Sequence, residues 1–176
     1  MTATPLRLRR LIDRKSGRAL FLSFTAALEV GVVPGLEDLP GMIAGLAADG
    51  QLTGAIVHAG VAESVFERSP GLPCGVIVDL FGGTWLTSRA AHHRQITTLE
   101  HAVRVGADGV MATISLGSKD EAYHLQRCGQ IARECAAWGM PLLAWINLHE
   151  TDASRQFSAT LAGHGARIAY ELGADL

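Results

Sequence analysis

The sequence uses one short pattern twice, in Val105-Gly-Ala-Asp-Gly-Val110 and again in Leu172-Gly-Ala-Asp-Leu176. In both places a segment with helical spacing ends at a glycine, a turn follows, and a strand is expected to start beside the aspartate. Such repetition of one helix-to-strand connection indicates a chain built from strand–helix units, and it is typical of (β/α)8 barrels.

Apolar runs of strand length alternate with helical segments along the chain. Strands are predicted at 19–25, 54–58, 75–80, 109–114 and 141–146. Runs that are apolar throughout are buried on both faces, as in parallel sheets, and strand–helix alternation gives a doubly wound sheet or a barrel. The expected fold class is α/β, a TIM (β/α)8-type barrel with only the first five to five and a half units present. The incomplete barrel domain is expected at 19–176, after a basic N-terminal extension or helix at 1–18.

Helical periodicity predicts helices at 36–48, 60–68, 98–105, 118–138 and 157–172. For the longest of these, Ser118 is expected to cap the free amides, and Gly139 suits the end. The segment Gly31 to Gly35 does not open a helix, so the first strand lacks the glycine-rich fingerprint of dinucleotide-binding folds.

Composition excludes several classes of function. The 176 residues carry a formal net charge of −2, which gives no electrostatic reason to expect nucleic acid as a partner. No apolar run reaches the roughly 18 residues that span a bilayer, and no signal core follows the basic N-terminus, so we expect a cytoplasmic protein without membrane association. Three cysteines without CxxC spacing are expected to be buried, reduced thiols.

Five strands leave two sheet edges open, because the first strand of a closed barrel pairs with the eighth. We therefore expect either more chain in the biological protein or a homo-oligomer that covers these edges.

Polar residues stand where the predicted strands end, and active sites of barrels lie at that end. They are Thr25, His58, Asp79, Thr113 and Asn147, with His149 and Glu150 just beyond. Any one of them can be a hydrogen-bonded residue without chemistry, but apolar strands that end in convergent polar groups are what a pocket needs. Asp79 is the best candidate carboxylate, and His149 with Glu150 can equally be a surface pair.

Four stretches together resemble the archaeal-type class I fructose-bisphosphate aldolase family, which is close to deoxyribose-phosphate aldolase. They are Gly31-Val-Val-Pro-Gly-Leu-Glu-Asp38, Gly106 to Glu121, Trp138-Gly-Met-Pro-Leu-Leu-Ala-Trp145 and Ala166 to Leu176. They occur in the family's order and at about its spacing. The resemblance implies Schiff-base chemistry, in which a neutral lysine attacks the carbonyl of the substrate.

The sequence departs from this family at its acid–base positions. In the family, the lysine follows Gly-Ala-Asp-(Ile/Leu)-Val, just past Leu176. The family's Asp-His-Gly corresponds to Thr25 and the two alanines after it, and a threonine hydroxyl is no general base near neutral pH. The family's Trp-x-Tyr is half kept, as Trp145 and Asn147, and an amide cannot give up a proton.

The resemblance therefore predicts a carbon–carbon lyase or transaldolase acting on a ketose or phosphorylated sugar, without a cofactor or metal. The alternative is a catalytically degenerate aldolase-fold protein that binds or regulates. The catalytic candidates are Asp79, Trp145, Asn147 and Thr25, and the substrate-binding candidates are His58, Thr113 and His149. His92 and His93 are expected to be solvent-exposed in a polar loop, and Lys119 to be solvated in the first turn of a helix.

Overall fold

The structure is a computed structural model that describes residues 4–50, 52–86, 93–149 and 158–176. The strands are β1 Phe21–Ser23, β2 Gly54–Val57, β3 Gly75–Asp79, β4 Phe81–Gly82, β5 Arg94–Gln95, β6 Gly109–Leu116 and β7 Leu142–Leu148. Five of them form one parallel sheet in the order β1-β2-β3-β6-β7. The sheet is a partial barrel, which confirms the predicted fold class. Strand β1 is shorter than predicted, and β6 and β7 run two residues further.

The helices are α1 Thr4–Leu11, α2 Ala26–Val30, α3 Leu39–Ala48, α4 Ala59–Arg68, α5 Leu99–Arg104, α6 Glu121–Trp138 and α7 Ala159–Leu172. Two predicted starts were wrong by about one turn. Helix α3 begins after Asp38, whose carboxylate accepts a hydrogen bond from the Gly41 amide, and α6 begins after Asp120. Ser118 is not the N-cap of α6: its hydroxyl accepts from the Asp120 amide at 3.2 Å and donates to the Ser115 carbonyl, both in the turn before the helix begins. The predicted first residue of the last helix, Phe157, lies outside the described residues. Among the described helices, none is long and apolar enough to cross a membrane.

A two-stranded antiparallel ribbon, β4 with β5, was not predicted. It pairs Phe81 with Gln95 and Gly82 with Arg94 directly above the end of β3. The sequence signal was absent because each strand has only two residues. The ribbon matters for function because it holds the segment after β3 close to the end of the sheet.

The two faces of the sheet have separate cores. Helices cover the outer face, where the larger apolar cluster lies. On the inner face, Leu11 of α1 packs with Ile56, Ile77 and Met111, and Phe21, Leu143 and Leu176 adjoin them. We call the first four residues the floor layer. It closes the end of the half-barrel at which the strands begin.

Leu11 is fully buried because three strands begin with glycine. A Cβ at Gly75 would lie 2.5 Å from a Leu11 methyl carbon, and one at Gly109 would lie 3.2 Å from the other. At Gly54 a Cβ would also meet Leu11, at 3.5 Å. Because these positions have no side chains, Leu11 of α1 can pack against the inner face of the sheet. The N-terminal helix therefore contributes to the barrel core.

The repeated Gly-Ala-Asp pattern has the same structure at both places. The Asp108 amide donates to the Val76 carbonyl at 2.8 Å, and the Asp108 carboxylate accepts from the Val76 amide at 3.0 Å. Asp175 makes the same two bonds with Leu142, both at 2.9 Å. Each aspartate thus pairs the start of one strand with the start of its neighbour, and residues 174–176 lie alongside β7 as the next strand would.

Candidate functional site

The opposite ends of the strands carry a polar layer on the same inner face. Side chains alternate along a strand, so residues two positions beyond the floor share its face. These are His58 after Ile56, Asp79 after Ile77, Thr113 after Met111 and Trp145 after Leu143, with Asn147 one step further. We call these five residues the mouth layer.

Asp79 ends β3 and is 4% exposed. Its carboxylate accepts a hydrogen bond from the Phe81 amide at 2.9 Å. Burial raises the pKa of Asp79 to about 7, the bond from Phe81 lowers it, and the nearby Glu29 carboxylate raises it. A carboxyl group with this pKa can both accept and return a proton near neutral pH.

His58 precedes the first turn of α4, and its side chain does not cap that helix. Its Nδ1 atom is enclosed and has no hydrogen-bond partner among the described residues. Burial lowers the pKa of His58, whereas the Asp79 backbone carbonyl and Glu29 raise it and His93 lowers it. The net pKa lies below its ordinary value, so this imidazole is neutral at neutral pH.

His93 is not the solvent-exposed residue that the sequence predicted. Its Nε2 lies 3.3 Å from the Glu29 Oε1, and the two side chains are only 16% and 25% exposed. The ribbon β4–β5 brings His93 back over β3, and α2 brings Glu29 to the same place. His92 lies outside the described residues. Glu29 and His93 are functional candidates that the sequence analysis missed, because no local spacing links residues so far apart in the chain.

His124 is a second missed residue. It is 1% exposed, and its Nδ1 accepts a hydrogen bond from the Ser115 amide at 3.1 Å. Its Nε2 lies 2.9 Å from the His93 carbonyl oxygen and donates to it. A signal existed in the sequence, because His124 shares the buried stripe of α6 with Cys128, Ile131 and Cys135.

Trp145 and Asn147 form a pair at the β7 edge of the mouth. The indole Nε1 donates to the Asn147 Oδ1 at 2.9 Å. Thr113, which is buried, lies opposite Trp145 in the parallel register of β6 and β7, and Ser115 lies opposite Asn147. These side chains can hydrogen-bond a polar ligand, but none of them ionises near neutral pH.

Thr25 lies at the other edge. It precedes α2, and its hydroxyl is 2.9 Å from the Ser23 hydroxyl. His149 is exposed beyond β7 and lines a cavity of about 190 Å³ together with His164, and it lies close enough to His93 to lower the pKa of that imidazole. Its predicted neighbour Glu150 lies outside the described residues.

Lys119 is exposed in the turn before α6 rather than in the helix.

The three cysteines are free and buried, as predicted. Burial raises the pKa of Cys128 to about 11 and of Cys135 to about 12, so these thiols stay protonated and are poor nucleophiles. Within the described ranges, no three His, Cys, Asp or Glu side chains are arranged to hold a metal ion. The titratable side chains described at the mouth include Asp79 and the imidazoles of His58 and His93.

The chain is similar to several proteins of known sequence. It is 35% identical to 2-amino-3,7-dideoxy-D-threo-hept-6-ulosonate synthase 1 of Archaeoglobus fulgidus over 121 residues, which are 69% of this chain and 45% of that protein. It is 27% identical to the class 1 fructose-bisphosphate aldolase of Thermoproteus tenax over 93% of this chain and 62% of that protein. The chain thus spans about half to two thirds of the length of these relatives.

The chain is also similar to solved structures of aldolases. An archaeal fructose 1,6-bisphosphate aldolase superposes with a TM-score of 0.81 at 26% identity, over 97% of this chain and 67% of that one. A further structure of an archaeal fructose-1,6-bisphosphate aldolase, with the same scores, has the catalytic lysine covalently bound to the carbinolamine intermediate of the substrate. The sequence profile of the DeoC/LacD family aldolases matches residues 24–176. These similarities confirm the resemblance inferred from the sequence, and the chain belongs to the DeoC/LacD family of aldolases.

Proposed function

We propose that the protein containing this chain is a Schiff-base carbon–carbon lyase or transaldolase that acts on a phosphorylated ketose. The observation that carries the proposal is Asp79, a buried carboxyl group with a pKa of about 7 at the centre of the mouth. In this proposal Asp79 exchanges the proton of the substrate hydroxyl as the carbon–carbon bond breaks or forms. His58, Thr113, Trp145 and Asn147 bind the polar groups of the substrate.

The Schiff-base lysine is expected shortly after Leu176. Leu176 adjoins the floor layer, and its carbonyl accepts from the Ala144 amide at 3.0 Å. Side chains of a strand alternate, so the second residue after Leu176 would face inward one layer higher, beside Trp145. That is the level of the mouth layer, and a lysine at this position could reach a substrate that also contacts Asp79.

The relatives support the proposed substrate class. The Streptomyces griseus relative, 26% identical over 99% of this chain, is 2-amino-4,5-dihydroxy-6-oxo-7-(phosphonooxy)heptanoate synthase. Its named compound carries a ketone next to a phosphorylated carbon, and a Schiff base forms at such a carbonyl. We extend this substrate class, a ketone beside a phosphorylated carbon, to the protein that contains this chain.

A second candidate function is ligand binding without turnover. Two observations favour it: the Thr25 hydroxyl pairs with Ser23, and the Asn147 amide pairs with the Trp145 indole. Neither side chain can replace an ionisable group. The two candidates differ in whether a covalent intermediate forms.

Borohydride trapping distinguishes them. The full-length protein is incubated with dihydroxyacetone phosphate and borohydride, and its mass is measured. The proposed function predicts one stable adduct on a lysine, and peptide mapping identifies that lysine. Binding of the compound without any adduct would support the second candidate and contradict Schiff-base chemistry.

A further inference from the structure

We propose that His93, paired with Glu29, transfers the proton at the substrate carbon next to the Schiff-base carbon, and that His124 is a positioning residue for His93. The inference rests on the proposed function and adds a residue pair that the family resemblance did not supply. It assigns Asp79 and His93 to two different protons of one substrate.

The backbone around His93 is held firmly onto α6. His124 Nε2 donates to the His93 carbonyl at 2.9 Å, and the Gln95 amide donates to the Tyr123 hydroxyl at 3.2 Å. The Arg94 guanidinium lies 2.9 Å from the Asp120 carboxylate. Three consecutive residues are thus bound to α6 or to Asp120 just before it, which positions the backbone that carries the His93 side chain.

His124 itself cannot be the proton-transfer group. A backbone amide only donates, so the bond from Ser115 requires a lone pair on His124 Nδ1. The proton of the neutral ring is then on Nε2, where it binds the His93 carbonyl. Both nitrogens are occupied in the protein interior, and the ring connects the end of β6 to the segment that carries His93.

The His93 ring places one nitrogen beside Glu29, and its other nitrogen has no hydrogen-bond partner among the described residues. Nε2 lies 3.3 Å from the Glu29 carboxylate, and this proximity favours a proton on Nε2 and the lone pair on Nδ1. This Nδ1 is enclosed and has no partner among the described residues, as is also true of His58 Nδ1. An enclosed polar atom without a partner destabilises the fold, and two such atoms near the Glu29 carboxylate indicate a place for a polar ligand.

Burial favours the neutral form of His93, against the charge of Glu29. Among the described residues, the titratable groups that interact with His93 are Glu29 on α2, His58 after β2, His124 on α6 and His149 after β7. Burial lowers the pKa of His93, Glu29 raises it, and His124 and His149 lower it, with a net decrease. The ring is therefore unprotonated at neutral pH and can act as a base.

The proton transfer balances without a co-reactant. His93 Nδ1 accepts the proton from the carbon next to the iminium carbon. The electron pair of that C–H bond becomes the carbon–carbon double bond of the enamine, and the iminium π electrons move onto nitrogen. The imidazolium, stabilised by Glu29, returns the proton to the same carbon in the reverse step.

The test separates the covalent step from the proton step in the full-length protein. Borohydride trapping with dihydroxyacetone phosphate reports the Schiff base, and ¹H NMR in D₂O reports exchange of the carbon-bound hydrogen. H93N is expected to keep the adduct and to lose exchange by about 100-fold, a typical contribution of general acid–base catalysis. E29Q is expected to slow exchange by about tenfold and to move the acid limb of its pH profile to lower pH, because the carboxylate raises the pKa of His93.

A matched control is available on the outer surface. His101 Nε2 lies 3.2 Å from Glu63 Oε1, with side chains that are 42% and 53% exposed. H101N should change neither trapping nor exchange. For His124, H124Q keeps one acceptor and one donor and should retain more exchange than H124L, at equal thermal stability of the two variants.

The outcomes are distinct. No adduct in the wild-type protein would overturn the proposed function and this inference with it. An adduct in both wild type and H93N with equal exchange rates would overturn the inference alone. Loss of the adduct from H93N at unchanged Tm would place His93 in Schiff-base formation and contradict its role at the carbon.

Discussion

The floor and mouth layers lie on the same strands only two residues apart, yet they differ in polarity and in hydrogen bonding. Ile56, Ile77 and Met111 of the floor pack with Leu11 and leave no polar atom to satisfy. The mouth holds Asp79 with a raised pKa and His58 with an unpartnered nitrogen. The packed beginnings of the strands therefore stabilise the fold, whereas their ends carry buried polar groups that lower its stability.

The largest effect is expected from the floor. Ile77→Ala removes a fully buried side chain from between Leu11 and Met111 and should lower the free energy of unfolding by about 2–5 kcal/mol. Urea denaturation measures this loss. Ile96→Ala, at a residue that is 52% exposed, is the control and should cost less than about 1 kcal/mol. Equal losses for the two variants would contradict the assignment of stability to the floor.

A substitution in the mouth, Asp79→Asn, should raise the free energy of unfolding. In the folded chain the pKa of Asp79 is about 7, above the ordinary aspartate value of 3.8, so the folded state loses stability as pH rises between these values. Asp79→Asn keeps an oxygen that accepts from the Phe81 amide and removes the ionisation. At pH 8 it should stabilise the fold by on the order of 2 kcal/mol, and below pH 4 by much less. Thermal unfolding at both pH values tests this, and a variant less stable than wild type at pH 8 would contradict it.

Substitutions of Asp108, which lies just before β6, should have an intermediate effect on the free energy of unfolding. Asp108→Ala leaves the Val76 amide without its partner, at a cost of about 1–3 kcal/mol. Asp108→Asn can still accept from Val76 and loses mainly the ion pair with the half-exposed Arg10, so it should cost less than about 1 kcal/mol. Chemical denaturation of both variants separates the two contributions. Similar losses for both would assign the stability to the ion pair instead.

The smallest effect on stability is expected at the β7 edge of the mouth. Asn147→Ala removes one hydrogen bond to the half-exposed Trp145 indole, and it should change the free energy of unfolding by less than about 1 kcal/mol. The same change should weaken binding of dihydroxyacetone phosphate, measured by calorimetry on the full-length protein. Unchanged affinity would remove Asn147 from the binding residues and leave its role structural.

The order of strands and the mouth layer could be predicted because each depends on short-range rules. Five apolar runs identified the strands, and one rule about polar residues at strand ends selected His58, Asp79 and Thr113 on the inner face. The roles of these residues remain predictions. The first residue of α6 was harder to predict, because Ser118 and Asp120 both fit the N-cap position. Only the packing of the chain decides between them.

The Glu29–His93 pair could not be predicted for a different reason. Glu29 lies in a five-residue helix and His93 beside a two-residue strand, and neither element has a periodic signature. Their meeting depends on the ribbon that folds back over β3 and on His124 beneath it. Such convergence is a property of tertiary structure, and only the buried position of His124 on α6 hinted at it.

The aspartates at the strand starts also bear on how the chain can be made. Asp108 reaches back 32 residues to Val76, and Asp175 reaches back 33 residues to Leu142. Loop-closure entropy grows only slowly with such separations, and a contact of this range needs no later part of the sequence. During synthesis, the first residue of a new strand can therefore set its alignment against the strand before it as soon as it leaves the ribosome. We therefore expect these two connections to form in the order of translation, the one at Asp108 before the one at Asp175.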